Sequence, residues 1–135
     1  MTDAWSPMTN YDTRSYWEGC REKKLIIARC GDCRYWIHPP RGVCPKCWSD
    51  NIGYEECDGV AKVYSYVVLP AARQDNSGSD RITVWAELND QERLIVVADM
   101  VGSAPNEVAM EAPLELAWSE YRGHPVPVFK LRAAG

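Results

Sequence analysis

Residues 30–47 read CGDCRYWIHPPRGVCPKC, and no other stretch of the chain limits its folding as tightly. Two Cys-x-x-Cys pairs, Cys30/Cys33 and Cys44/Cys47, flank ten residues. A turn of two residues brings both sulfurs of a pair to one metal. Two such turns, facing each other across a short hairpin, complete a tetrahedron of soft thiolates suited to zinc. Gly31 and Pro45 fall inside the turns, where the backbone needs special geometry. A single Cys-x-x-Cys can be a redox motif, but two at this spacing predict one structural zinc ion on Cys30, Cys33, Cys44 and Cys47. The competing reading is two disulfides in a secreted chain. MTDAWSPMTNYDT lacks a basic start followed by an apolar core, so no signal peptide is read there. Six cysteines without an export signal suit a reduced, cytoplasmic setting. Cys20 and Cys57 are left over and read as small core residues, with Cys57 a possible fifth thiol. His38 is a competing ligand type, but four cysteines already fill the shell.

A ribbon of about thirty residues cannot bury a useful core, so its metal must carry its folding. In a chain of 135 residues this leaves room for one ordinary domain after it. Charged residues make up 25% and hydrophobic residues 46%, which are globular values. No apolar run is long enough to span a membrane. The net charge is -4 and the pI about 5.2, which counts against a nucleic-acid binder. Lysines and arginines do gather between Arg14 and Lys46, and the acids concentrate later. That asymmetry suits either a solvated face or the phosphates of a nucleic acid or nucleotide-bearing cofactor.

Along the chain, residues 1–10 read as a loose arm in which Trp5 and Met8 could dock. A helix is predicted from Tyr11 to Lys24, capped by Asp12 or Thr9, with Tyr16, Trp17 and Cys20 in an apolar stripe. The stripe serves either packing or a partner interface. Gly19 weakens this helix and is a place for it to break. Lys24–Arg29 leads as a strand into the first knuckle. The insert Arg34–Val43 reads as the two strands of a zinc hairpin bent at Pro39-Pro40, with Trp48 covering the site. Ile52–Cys57 is a second zinc strand, and Asp58-Gly59 marks a junction. The expected organisation is therefore 1–24 arm and helix, 25–58 zinc ribbon, and 59–135 a second domain.

From Val60 the pattern is all β. Strands are expected at Val60–Leu69, Ile82–Leu88, Arg93–Val101, Leu114–Tyr121 and Val126–Leu131. Pro70–Arg81 is a polar loop. Gly102–Val108 suggests a short helix capped by Ser103 with Pro105 in its first turn. His124 lies in a polar turn and is expected to be solvated. Pro125 and Pro127 place the last strand at an edge or a strand end. Five strands with a helix between the third and fourth follow the order of an OB-fold barrel, so the fold class is mainly β.

No catalytic constellation emerges. His38 and His124 are the only histidines, and neither a nucleophile elbow nor a Gly-rich phosphate loop is present. A four-thiolate zinc has no open position for water. The residues alone describe a zinc-stapled binding module and not an enzyme.

The run Tyr16-Trp17-Glu18-Gly19, with Leu25, Arg29-Cys30, Cys33, Pro39-Pro40-Arg41 and Cys44-Pro45-x-Cys47, resembles a family of rubredoxin-like zinc ribbon plus OB-fold proteins long catalogued as a domain of unknown function. The tyrosine-bearing strand after Gly59, and Met100-Val101-Gly102, are similar as well. Glu111 departs from the family, which often has glycine there. The resemblance implies a small non-catalytic partner of thiolase-fold enzymes: thiolases, acyltransferases, or lipid-transfer-protein-like aldolases of steroid side-chain breakdown. Some members are fused to an acyl-CoA hydratase. It implies a heterotetramer in which the partner holds the catalytic residues. This chain then stabilises that partner and helps form the passage for an acyl-CoA thioester. Tyr16, Trp17, Trp36, Pro40 and Arg41 match family segments that contact the partner or the CoA. The alternative is a single-stranded nucleic-acid-binding module, whose stacking aromatics are available but whose acidic balance is unfavourable.

Overall fold

Asn10 and Thr13 decide where the first helix starts. The Asn10 N–H donates to Thr13 Oγ1 (3.0 Å) and the Thr13 N–H to Asn10 Oδ1 (2.9 Å), a closed turn that neither Asp12 nor Thr9 provides. Helix α1 accordingly spans Arg14–Arg21, shorter than expected. It runs through Gly19 without a break. A Cβ on Gly19 would lie 2.4 Å from Ile26 Cγ1 and 2.9 Å from the Lys24 carbonyl oxygen, so this glycine permits close packing of the chain that follows. The helix ends where Lys23 turns left-handed (φ 58°) and the Lys24 N–H returns to the Gly19 carbonyl. This computed structural model describes residues 7, 9–70 and 80–132. Trp5 and Met8 of the arm, and residues 71–79 of the polar loop, lie outside the described residues.

The chain divides into two units, one of residues 1–58 with 118–126 and the other of 59–117 with 127–135. In the first unit β1 (Leu25–Cys30) is the middle of a three-stranded antiparallel sheet, between β2 (Trp36–Ile37) and β3 (Ile52–Cys57). The insert does not form its own two-stranded hairpin. Only Trp36 and Ile37 pair, and they pair with Arg29 and Ala28 of β1. Pro39 and Pro40 follow after His38, and without N–H groups they cannot extend that ladder. Ala28, Cys30, Ile37 and Cys44 form the buried core of the ribbon.

The remaining strands, β4 (Ala61–Leu69), β5 (Arg81–Leu88), β6 (Ile95–Met100), β7 (Pro113–Tyr121) and β8 (His124–Leu131), form a closed barrel in the order β4-β5-β6-β8-β7. The alternation read in β5 holds: Ile82, Val84, Ala86 and Leu88 are buried. β6 and β8 close the barrel in parallel, through Asp99 opposite Val128 and Met100 opposite Phe129. Pro125 and Pro127 precede that ladder, so neither has to donate to it. A 3-10 helix at Pro105–Glu107 stands between β6 and β7. Ser103 does not cap it; the Ala104 N–H donates to Glu107 Oε1 at 2.6 Å instead. The mainly β, OB-like architecture follows the expectation. Among the described residues, no helix is long and apolar enough to cross a membrane.

Candidate metal centre

Each cysteine pair sits on a knuckle whose backbone aims N–H groups at sulfur. The Asp32 and Cys33 N–H groups both donate to Cys30 Sγ at 3.4 Å, and the Lys46 N–H to Cys44 Sγ at 3.4 Å. The knuckles close alike. The residue after the second cysteine of each, Arg34 (φ 68°) or Trp48 (φ 67°), turns left-handed. Its N–H reaches back to the carbonyl of the first cysteine, at 3.0 Å for Arg34 and 2.9 Å for Trp48.

All four sulfurs, of Cys30, Cys33, Cys44 and Cys47, lie within 4.8 Å of one another. Across the knuckles Cys30 Sγ is 3.6 Å from Cys47 Sγ, and Cys33 Sγ is 3.6 Å from Cys44 Sγ. A disulfide needs about 2.05 Å. Zinc–sulfur bonds of about 2.3 Å give tetrahedral edges near 3.8 Å, so the spacing fits one zinc ion. His38 and Cys57 do not belong to this group, and Cys57 is buried at the end of β3. Cys20 is buried too, and burial pushes its thiol up to about 12.

The thiols share charge unequally. N–H donation from Cys33 pulls Cys30 down to about 6. At Cys47 the Ser49 N–H acts in the same sense, but burial and the neighbouring sulfurs carry that thiol up to about 12. Four thiolates repel at these distances, and a divalent cation is what makes them compatible.

An outer layer holds the knuckles together. The Asp32 carboxylate accepts from the Ser49 hydroxyl and from Asn51 Nδ2 (3.2 Å), which lowers its pKa. The Gly31 N–H donates to the Asn51 carbonyl at 2.7 Å. A Cβ on Gly31 would sit 2.6 Å from Asn51 Nδ2, so glycine is required by this approach. Asp32, Ser49 and Asn51 were not singled out in the sequence. Their position beside the cysteines was the available signal.

The aromatic residues part company. Trp36 is buried beneath the Arg29 guanidinium, 4.2 Å from its ring centroid. Tyr16 lies edge-on to Trp17 (5.0 Å) and 5.3 Å from the His38 ring. Burial raises the Tyr16 pKa, with Cys20 adding to it, and holds His38 down to about 4. His124 is not solvated: it is 6% exposed, and its ring lies edge-on to Trp17 at 6.1 Å. Pro40 is partly buried and Arg41 exposed. Trp48 does not cover the site, for 79% of it is exposed.

The barrel unit has a cleft of about 650 Å³ on its own residues. Lys62 Nζ bridges Glu87 (3.6 Å) and Glu111 (3.5 Å) there, and the Arg93 N–H donates to Glu87 Oε2 at 2.6 Å.

Residues 17–53 match the family model of the ChsH2 rubredoxin-like zinc ribbon domain. Over 114 residues the chain is 32% identical to a probable enoyl-CoA hydratase alpha subunit of Thermomonospora curvata, covering 84% of this chain. The chain spans only 35% of that relative's length. Among solved structures it is similar to the chain of an Ltp2-ChsH2(DUF35) aldolase, with a TM-score of 0.84 and 29% identity, over 93% of this chain and 98% of that one. A DUF35-family protein of unknown function from Sulfolobus solfataricus shares the fold, with a TM-score of 0.65 and 18% identity over 92% of this chain and 87% of that one. Residues 17–53 are thus a rubredoxin-like zinc ribbon of the ChsH2 type, and with the closed barrel they make up the zinc-ribbon plus OB-fold architecture of the family resembled in sequence.

Proposed function

We propose that this chain is a non-catalytic accessory subunit of a thiolase-fold enzyme (a thiolase, acyltransferase or aldolase) acting on acyl-CoA thioesters. The observation that carries this reading is the likeness to the chain of the Ltp2-ChsH2(DUF35) aldolase over nearly the whole of both chains. The name of the Thermomonospora relative points to the same substrate class. The chemistry of the metal centre agrees: four thiolates fill a tetrahedron, so the ion is scaffolding and offers water no position.

In this reading the chain works in the cytoplasm within a heterotetramer, steadies the catalytic partner and lines part of the acyl-CoA passage. Domain 1–24 with ribbon 25–58 supplies the docking side and 59–135 the barrel. Of the five residues that the resemblance points to, Trp36 is buried, Arg41 is exposed, and Tyr16, Trp17 and Pro40 are half-buried. Affinity purification from native extract, read by mass spectrometry, tests the proposal. A thiolase-fold protein recovered in near-equal amount is the expected result. Recovery of nucleic acid that leaves in high salt overturns it in favour of a nucleic-acid module.

A further inference from the structure

Tyr11 is 84% exposed and Trp48 79%, the two largest exposures among the large hydrophobic side chains described. Both belong to the ribbon unit. Trp, Tyr and Arg are the residues that anchor protein interfaces. The backbone of Trp48 is also held in place. It stands on the second knuckle with its N–H bonded to the Cys44 carbonyl, so docking it costs little backbone ordering.

Tyr11 lines a cleft of about 230 Å³ with Asp12, Arg14, Arg41, Asp50 and Tyr54. Trp48 is two residues before Asp50, and Val43, 44% exposed, follows Arg41 and Gly42. The four charges of the cleft balance, and none of them forms an ion pair among the described residues. A balanced site does not concentrate a polyanion. It suits a protein surface that brings an acid to the arginines, a base to the aspartates and apolar pockets for the two rings.

We infer that this face, Tyr11, Trp48 and the Arg14/Arg41–Asp12/Asp50 cleft, is where a folded catalytic subunit docks. The inference rests on the function proposed above for the partner's identity, and on the exposure and charge pattern for the surface. The ring set differs from that read in the sequence, because Trp36 is buried and the rings of Tyr16 and Trp17 pack on histidines.

The test places a photo-crosslinking benzoylphenylalanine at position 11, 48 or 97 of the full chain, in the native host. Val97, 51% exposed on the barrel, is the control. Crosslinks from 11 and 48 to a thiolase-fold subunit, with none from 97, are expected. Crosslinks from 11 and 48 to a protein of another fold keep the surface and overturn the functional reading. Crosslinks to nucleic acid or to a second copy of this chain, or none from either position, overturn the surface. As a second measurement, Trp48→Ala with its zinc intact should recover at least tenfold less of the thiolase-fold subunit. Undiminished recovery keeps the function and removes this face from it.

Discussion

The ribbon and the barrel reach stability by different routes. Two of the four residues in the ribbon core, Cys30 and Cys44, are themselves proposed metal ligands, and the other two are Ala28 and Ile37. The barrel instead buries Val63, Val84, Leu88, Val96, Leu114 and Phe129 on strands that close on themselves, leaving no sheet edge. β1 and β2 also bury Leu25, Ile27 and Trp36, but so small a core offsets less of the ordering of its chain than a barrel interior does. The ribbon exchanges core volume for one ion and thereby frees its outer residues, Tyr11 and Trp48 included, from packing duty.

The sharpest way to break the comparison is to remove the metal. Chelation, or Cys33→Ser or Cys44→Ser, should abolish amide-exchange protection in β1 and β3 while β4 and β5 keep theirs. Structural zinc contributes on the order of 10 kcal/mol of folding free energy in small modules. If β4 and β5 lose protection together with β1, the two regions are one cooperative unit and the contrast fails. The reverse experiment is Phe129→Ala. Its side chain is wholly buried, so a loss of about 3–5 kcal/mol is expected in denaturant titration, with one zinc per chain retained.

Acid should weaken the ribbon unit through His38. Burial holds its pKa near 4, against 6.5 in an open chain. The unfolded chain therefore takes up the proton first. Stability is complete above about pH 6.5 and drains between 6.5 and 4, by at most about 3 kcal/mol. His38→Gln should flatten that limb relative to the parent at equal zinc content; an unchanged limb would show that the zinc thiolates alone carry the acid sensitivity.

The smallest expected effect is in the barrel. Glu111, where the resembled family often has glycine, is held left-handed at φ 63°. Glu111→Gly should raise the unfolding free energy by roughly 0.5–1 kcal/mol, read as a higher denaturant midpoint at unchanged m-value. Its ion pair with Lys62 is open to solvent and contributes little against this. A lowered midpoint would mean that the Lys62 bridge matters more than the backbone strain.

Spacing along the chain was enough for features with a short repeat. The cysteine knuckles announce themselves because two intervening residues place two sulfurs on one ion. β5 does so because alternate residues of a strand face one way. The helix bounds were less legible, since a turn between Asn10 and Thr13 depends on side-chain bonds that composition does not rank. The insert misled because its alternation resembled two strands, while Pro39 and Pro40 allowed only two residues of ladder.

The amino-acid order by itself determined the four-thiolate zinc centre, the mainly β class and the five-strand order, all of which follow from contacts between near neighbours or from strict alternation. Only the tertiary structure decided which aromatic residues are surface and which are core. Trp36 lies under Arg29, His124 beside Trp17, and Trp48 in solvent, whereas the sequence suggested a solvated His124 and a Trp48 that covers the metal site. The physical reason is that a side chain's burial depends on what distant segments bring to it. His124 and Trp17 are more than a hundred residues apart in the chain, and no local pattern records that they meet.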